Sequence, residues 1–194
     1  MHFTPIATYS LIAITVVVSL LGFNNRGLLN RLAFQIGPVL RRKQVERLLT
    51  CSFVHVDAGH LLMNMVTLYF FGPQLEYIYG PVKFVGLYVF CSLAASLVVL
   101  ALRRNQMQYS AVGASDAVCG VLGAFCVLFP FQNIYILFIP IGIPAIVFAG
   151  LFLAWSSWAA RSRKGNVAHD AHIAGTLAGA LAVLVAGSGL FTGA

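Results

Sequence analysis

Charge is what this chain has least of. Lys, Arg, Asp and Glu make up 9% of its 194 residues, and only 5 of those are acidic, whereas a soluble domain carries about 25% charged residues. With 60% hydrophobic residues and a mean hydropathy of +0.89, an ordinary water-soluble globule is excluded. Cysteine is sparse too: Cys51, Cys91, Cys119 and Cys126 contain no CxxC pair, and three of the four lie in apolar runs where a free thiol behaves as a small hydrophobe. Five histidines and few carboxylates are too few for a histidine-box oxygenase, so no metal and no cofactor is expected. No Lys or Arg precedes the first apolar run and no small-x-small site follows it, so it is expected to be retained as a span rather than removed as a secretory signal. There is no internal repeat. The net charge of +7 resides in connections between apolar runs, where lipid headgroups and membrane orientation explain it before nucleic acid does.

What is abundant is apolar sequence of membrane-crossing length. Runs at 6–23, 59–79, 82–102, 115–129, 143–160 and 169–187 predict an all-α membrane protein, a single bundle of six transmembrane helices over residues 1–194. The longest connection, 24–58, mixes Leu28, Leu29, Leu32, Phe34 and Ile36 with Arg26, Arg31, Arg41, Arg42, Lys43 and Arg47. It is expected to lie in the membrane interface with apolar side chains dipped and basic ones outward, or else to be a solvated loop. The fourth run is short. From Ser115 to Phe129, just before Pro130, a helix reaches only roughly 22 Å, less than the roughly 30 Å of a hydrocarbon core. Its Ser115 end is therefore expected below one surface, and non-helical backbone at that depth is tolerated only against protein or a water-filled cavity.

Polar groups inside the membrane are expensive and are functional candidates. Three sets qualify: His55, His60 and Asn64 around the second run; Ser115 and Asp116 opening the fourth; His169, Asp170 and His172 opening the sixth. His60 and Asn64 are four residues apart and share a helix face, where an imidazole and an amide supply uncharged donors suited to a developing oxyanion, or simply bond to neighbouring helices. His172 leads a face with Gly175, Thr176 and Gly179, a GxxxG surface able to meet the small residues Cys119, Gly120, Gly123 and Ala124 of the fourth run. That packing brings Ser115 and His172 within hydrogen-bond reach, the arrangement that activates a serine. Asp116 is rotated about 100° from Ser115 and Asp170 about 200° from His172, so a Ser-His dyad is expected rather than a triad. Asp116 also reads as a first-turn carboxylate favoured by the helix dipole.

These residues resemble the rhomboid intramembrane serine proteases. "GASD" (113–116) is similar to the family's G-x-S-G, and "AHIAGTLAG" (171–179) to its A-H-x-x-G-x-x-x-G. Upstream, "HVDAGHLLMNM" resembles H-x-x-x-x-H-x-x-x-N and "FGPQLEYIYG" resembles G-x-x-x-E-x-x-x-G, in the same order over roughly residues 45–187. The resemblance implies hydrolysis of a peptide bond in a membrane-anchored substrate near its helix end, with Ser115 as nucleophile and His172 as general base. It further implies an oxyanion hole of His60, Asn64 and the Ser115 amide, and structural roles for His55 and Glu76. The sequence departs from the family pattern at three places: Asp116 replaces the glycine after the serine, Cys119 stands where an aromatic side chain packs on the catalytic histidine, and Glu46-Arg47 replaces a Trp-Arg pair. Asp116, Cys119 and Gly113 are thus candidate modulators of the site.

The partners implied are transmembrane protein substrates and the lipid bilayer. Other classes are a transporter, since polar residues at depth also line pathways, and a rhomboid-like protein that binds membrane clients without cutting them. Resemblance to bacterial members implies a bacterial cell (inner) membrane with the active-site face extracytoplasmic. The loop charges argue the opposite, because every Lys and Arg except Lys83 falls on the active-site side of a six-span topology.

Overall fold

A computed structural model of the chain describes residues 3–135, 140–162 and 169–185. The apolar runs fold as helices α1 (Ile6–Asn24), α5 (Ala58–Arg103), α6 (Ser115–Leu128), α7 (Ala145–Ser162) and α8 (His169–Val185). Short helices α2 (Arg26–Leu32), α3 (Ile36–Arg42) and α4 (Arg47–Thr50) and a 3-10 turn (Cys51–Phe53) occupy the first connection. Among the described residues α1 and α5 are long and apolar enough to cross a membrane, and α6, α8 and the apolar part of α7 are shorter. At 46 residues α5 is twice the length a bilayer needs, and it is broken at Gly80, where φ is 73° and ψ 164°. Only glycine takes that conformation readily, and Pro81 follows it without an N–H to give. The halves fold back on each other: the Phe84 ring tip lies 3.3 Å from where a Cβ on Gly72 would stand.

Helix α6 is the buried axis. From Asp116 to Cys126 every residue is buried, whereas α1, α5, α7 and α8 each keep an exposed apolar face. Its seam with α8 is made by glycine. A Cβ on Gly175 would strike the Asp116 carbonyl, one on Gly179 the Gly120 carbonyl, and one on Gly123 the Thr176 carbonyl, so the two backbones touch. The opposite end of the bundle is tied by Glu76, 1% exposed, whose carboxylate accepts the N–H groups of Ala7 (2.9 Å) and Thr8 (2.7 Å) and the Thr8 hydroxyl (2.7 Å). An anion there satisfies donors that the start of α1 cannot satisfy internally and meets the positive end of its dipole.

Three expectations change. The first connection is not a sheet of dipped apolar residues: Leu29, Phe34 and Ile36 are buried against protein. Arg47 does not point outward but is 7% exposed, giving Nη1 to the carbonyls of Asn30 (2.7 Å) and Ala33 (2.8 Å) and Nε to Gln44 (2.7 Å). Those carbonyls sit at the end of α2, where they have no partner within the helix. Arg26, Arg31, Arg41, Arg42 and Lys43 are exposed as expected. Among the described residues the bundle also carries two short antiparallel ladders, β1 (Phe34–Gln35) with β2 (Ser110–Ala111) and β3 (Asn133–Tyr135) with β4 (Gly142–Pro144). The fifth run therefore begins as strand, and its helix starts after Pro144. Arg163, Lys164 and the last two residues of the sixth expected run lie outside the described residues.

Candidate active site

The chain descends to Ser115 along β2, which is anchored by its ladder to β1. Two bonds then fix the turn before α6: the Gly113 N–H donates to the Cys51 carbonyl (3.0 Å) and the Ala114 N–H to Nε2 of His55 (3.2 Å). Gly113 has φ of 123°, and a Cβ there would enter the His60 ring, so glycine is required on both counts. His55 is wholly buried, with Nδ1 2.9 Å from Ser19 Oγ on α1. Because Nε2 accepts, the ring proton sits on Nδ1 and is donated to Ser19. Burial, and secondarily the neighbouring His60 ring, push His55 down to about 3, so the ring stays neutral and the bond to Ala114 persists.

Ser115 is the first residue of α6, and its N–H has no carbonyl partner within the helix. Across the glycine seam, His172 is the fourth residue of α8, and its Nε2 lies 2.9 Å from Ser115 Oγ. Both line a cavity of about 860 Å³ that also takes in His60, Asn64, Cys119 and Phe152. Asp57 caps α5 through the His60 N–H (2.8 Å), and Asn64, 6% exposed, gives one amide proton to the His60 carbonyl (2.9 Å). The structure thus brings Ser115, His172, His60 and Asn64 to one cavity. It sends His55 and Glu76 elsewhere, to the α6 entry turn and the α1 cap.

Asp116 does not face this cavity's dyad. Its two carboxylate oxygens lie 3.2 Å from Ser52 Oγ and 3.4 Å from Ser92 Oγ, the hydroxyls 2.6 Å from each other, and Oδ1 accepts the Ala117 N–H at 2.7 Å. Asp170 is held by Arg103, whose guanidinium also lies 4.9 Å over the Tyr109 ring. Neither carboxylate bonds to His172. Cys119 is 9% exposed on the cavity wall, and the ring stacked on His172 comes instead from Phe152 of α7, at 6.4 Å between centroids and 25° between planes. Phe152, Ser52 and Ser92 escaped the sequence reading: Phe152 is indistinguishable in sequence from its lipid-facing neighbours, and the two serines are single small polar residues in unrelated segments.

Residues 42–189 match the family described as Rhomboid domain, well over half of the chain and including His60, Asn64, Ser115 and His172. The chain belongs to the rhomboid family. It is therefore a membrane protein, in a family that includes serine proteases. This rhomboid is 35% identical over 133 residues to "Rhomboid protein 1, mitochondrial" of Saccharomyces cerevisiae, covering 67% of the chain and 38% of that protein. It is 26% identical over 176 residues to "RHOMBOID-like protein 12, mitochondrial" of Arabidopsis thaliana (82% and 52%). It is 27% identical over 143 residues to "Presenilin-associated rhomboid-like protein, mitochondrial" of Rattus norvegicus (68% and 36%). The chain thus spans about half or less of the length of these relatives. All three carry mitochondrial names, so the expectation of a bacterial inner membrane gains no support from them.

Proposed function

We propose that this rhomboid is an intramembrane serine endopeptidase with a Ser115-His172 dyad. The observation that carries the reading is the 2.9 Å separation of Ser115 Oγ and His172 Nε2 on the wall of a large cavity. His172 Nε2 takes the Ser115 proton as Oγ attacks a peptide carbonyl, and returns it to the leaving amine; a water then hydrolyses the acyl-enzyme through the same base. The Ser115 N–H, at the positive end of α6, together with His60 and Asn64, supplies donors for the oxyanion. No carboxylate is asked to relay a proton.

The cavity's continuation supports a membrane-anchored substrate. A second cavity of about 830 Å³ shares Met63, Thr67, Leu122 and Phe148 with the first and runs on between the first half of α5 and α7. Its lining is mostly apolar, which suits the end of a membrane-anchored helix. With α5 counted as two spans, α1, α5, α6, α7 and α8 make the six crossings of this reading. The alternative of a client-binding protein that does not cut drew on Asp116 and Cys119. With the Asp116 carboxylate on Ser52 and Ser92 and a ring from Phe152 over His172, the geometry favours the protease.

The test is cleavage of a helix-anchored reporter in liposomes. Wild type is expected to cut within or beside the anchor, insensitive to chelators, and Ser115→Ala and His172→Ala to fall about 10³-fold or more, the cost seen when a nucleophile or its base is removed. Cleavage that survives Ser115→Ala, or folded wild type that cuts no anchored substrate, contradicts it.

A further inference from the structure

All five acidic side chains of this chain have assigned places, and none serves His172. Glu46 is exposed at the start of α4, Asp57 caps α5, Glu76 caps α1, Asp116 meets Ser52 and Ser92, and Asp170 meets Arg103. An imidazole that must present Nε2 to a serine needs its ring plane fixed, and a carboxylate on Nδ1 is the usual means. Here that means is absent among the described residues, and what His172 has instead is the packing of neighbouring rings.

Helices α7 and α8 face each other through two rungs of rings. Phe152 lies over His172 with nearly parallel planes, 6.4 Å and 25°. One turn along, Trp155 meets His169 edge to face, 5.1 Å and 85°. His169 in turn stands edge-on to His172 at 5.9 Å and 81°, and Phe148 stacks on Phe152 at 6.3 Å and 9°. Each distance falls within the 4.5–7 Å range of favourable aromatic pairs. His172 is thus flanked by the nearly parallel ring of Phe152 and met at an angle by His169, two neighbours that restrict its rotation about χ2.

Resting on the protease reading above, we infer that Phe152 is a positioning residue for the general base: its ring on α7 holds the His172 imidazole in hydrogen-bond register with Ser115, in place of a third, acidic member of the site. Phe152 acts through His172 and not on the scissile bond, so its loss lowers the acylation rate more than it weakens substrate binding at the cavity wall. Trp155 contributes one step removed, through His169.

The experiment pairs a kinetic readout with one independent of activity. Phe152→Leu keeps an apolar side chain but removes the ring, and Phe152→Met serves if the leucine variant does not fold. Expected are labelling by a fluorophosphonate about tenfold to a hundredfold slower, the cost of a misplaced catalytic group, a KM for an anchored substrate changed by a smaller factor than the labelling rate, and near-wild-type rates in Phe152→Tyr. Trp155→Leu slows labelling less than Phe152→Leu. In parallel, nitrogen-15 spectra of the histidines, with His172 assigned by its loss in His172→Asn, are expected to show one fixed tautomer in wild type and averaged tautomers in Phe152→Leu. Wild-type labelling in Phe152→Leu overturns the inference, as does slowed labelling with an unchanged His172 spectrum. Wild type that resists labelling while Phe152→Leu still frees the ring removes the protease reading and leaves the positioning role standing.

Discussion

Helix α8 meets its two partners by opposite means. Against α6 it uses backbone, with Gly175 and Gly179 laid on the Asp116 and Gly120 carbonyls so closely that no side-chain atom fits between. Against α7 it uses side chains, with Phe152 and Trp155 set on His172 and His169. The first contact fixes how far apart Ser115 and His172 stand; the second fixes how the imidazole is turned. A fault in the first is expected to damage fold and site together, and a fault in the second the site alone.

The sharpest way to break that contrast is a single methyl group. Gly179→Ala places a Cβ on the Gly120 carbonyl, where neither backbone can yield, and is expected to cost about 1–3 kcal/mol or more. Thermal unfolding and reporter cleavage should fall together, whereas Phe152→Leu should lose cleavage at a nearly unchanged melting temperature. A Gly179→Ala protein that melts like wild type would mean that the seam does not set the spacing.

A smaller effect distinguishes the two sides of Asp116, whose carbonyl lies in the seam while its carboxylate lies outside it. Since the carboxylate faces Ser52 and Ser92, Asp116→Gly should not raise activity, although it restores the residue usual in the family. It removes the hydrogen bonds of a buried polar group and is expected to destabilise by about 1–3 kcal/mol. A several-fold gain in cleavage rate would show the carboxylate acting on the oxyanion after all.

Near neutral pH the smallest effect is titration, and it enters through the α6 entry turn rather than through either face of α8. His55 is held down to about 3, whereas an unfolded histidine titrates near 6.5. Between those values the unfolded chain binds a proton that the native ring refuses, so this contribution to stability is full above about 6.5 and declines as pH falls toward 3. Unfolding measured against pH should show that decline, and His55→Gln should make it shallower at the cost of lower stability throughout. An unchanged slope in His55→Gln would remove His55 as its source.

Much of this was legible in sequence because membranes leave few options. Apolar length gave the helices to within a few residues, and the break at Gly80-Pro81 divided two runs already distinguishable by eye. The Ser115 and His172 positions followed from small residues at helical spacing, which is a backbone property and survives translation into structure. What sequence did not carry was the direction of individual side chains. Arg47 reads as one more interfacial cation until the carbonyls at the end of α2 are seen to need it. Asp116 reads as a charge beside the nucleophile until Ser52 and Ser92, remote in sequence, are seen to receive it. Phe152 lies in a run where most apolar side chains face lipid, and only its neighbour across the helix pair distinguishes it.

The central claim is that Ser115 is a nucleophile activated by His172, and covalent labelling tests it most directly. Purified protein treated with a fluorophosphonate is expected to carry one adduct, mapped by mass spectrometry to Ser115, in wild type and in Asp116→Asn but not in Ser115→Ala or His172→Ala. Folded wild type that takes up no adduct at Ser115, or a His172→Ala protein labelled as fast as wild type, would contradict it.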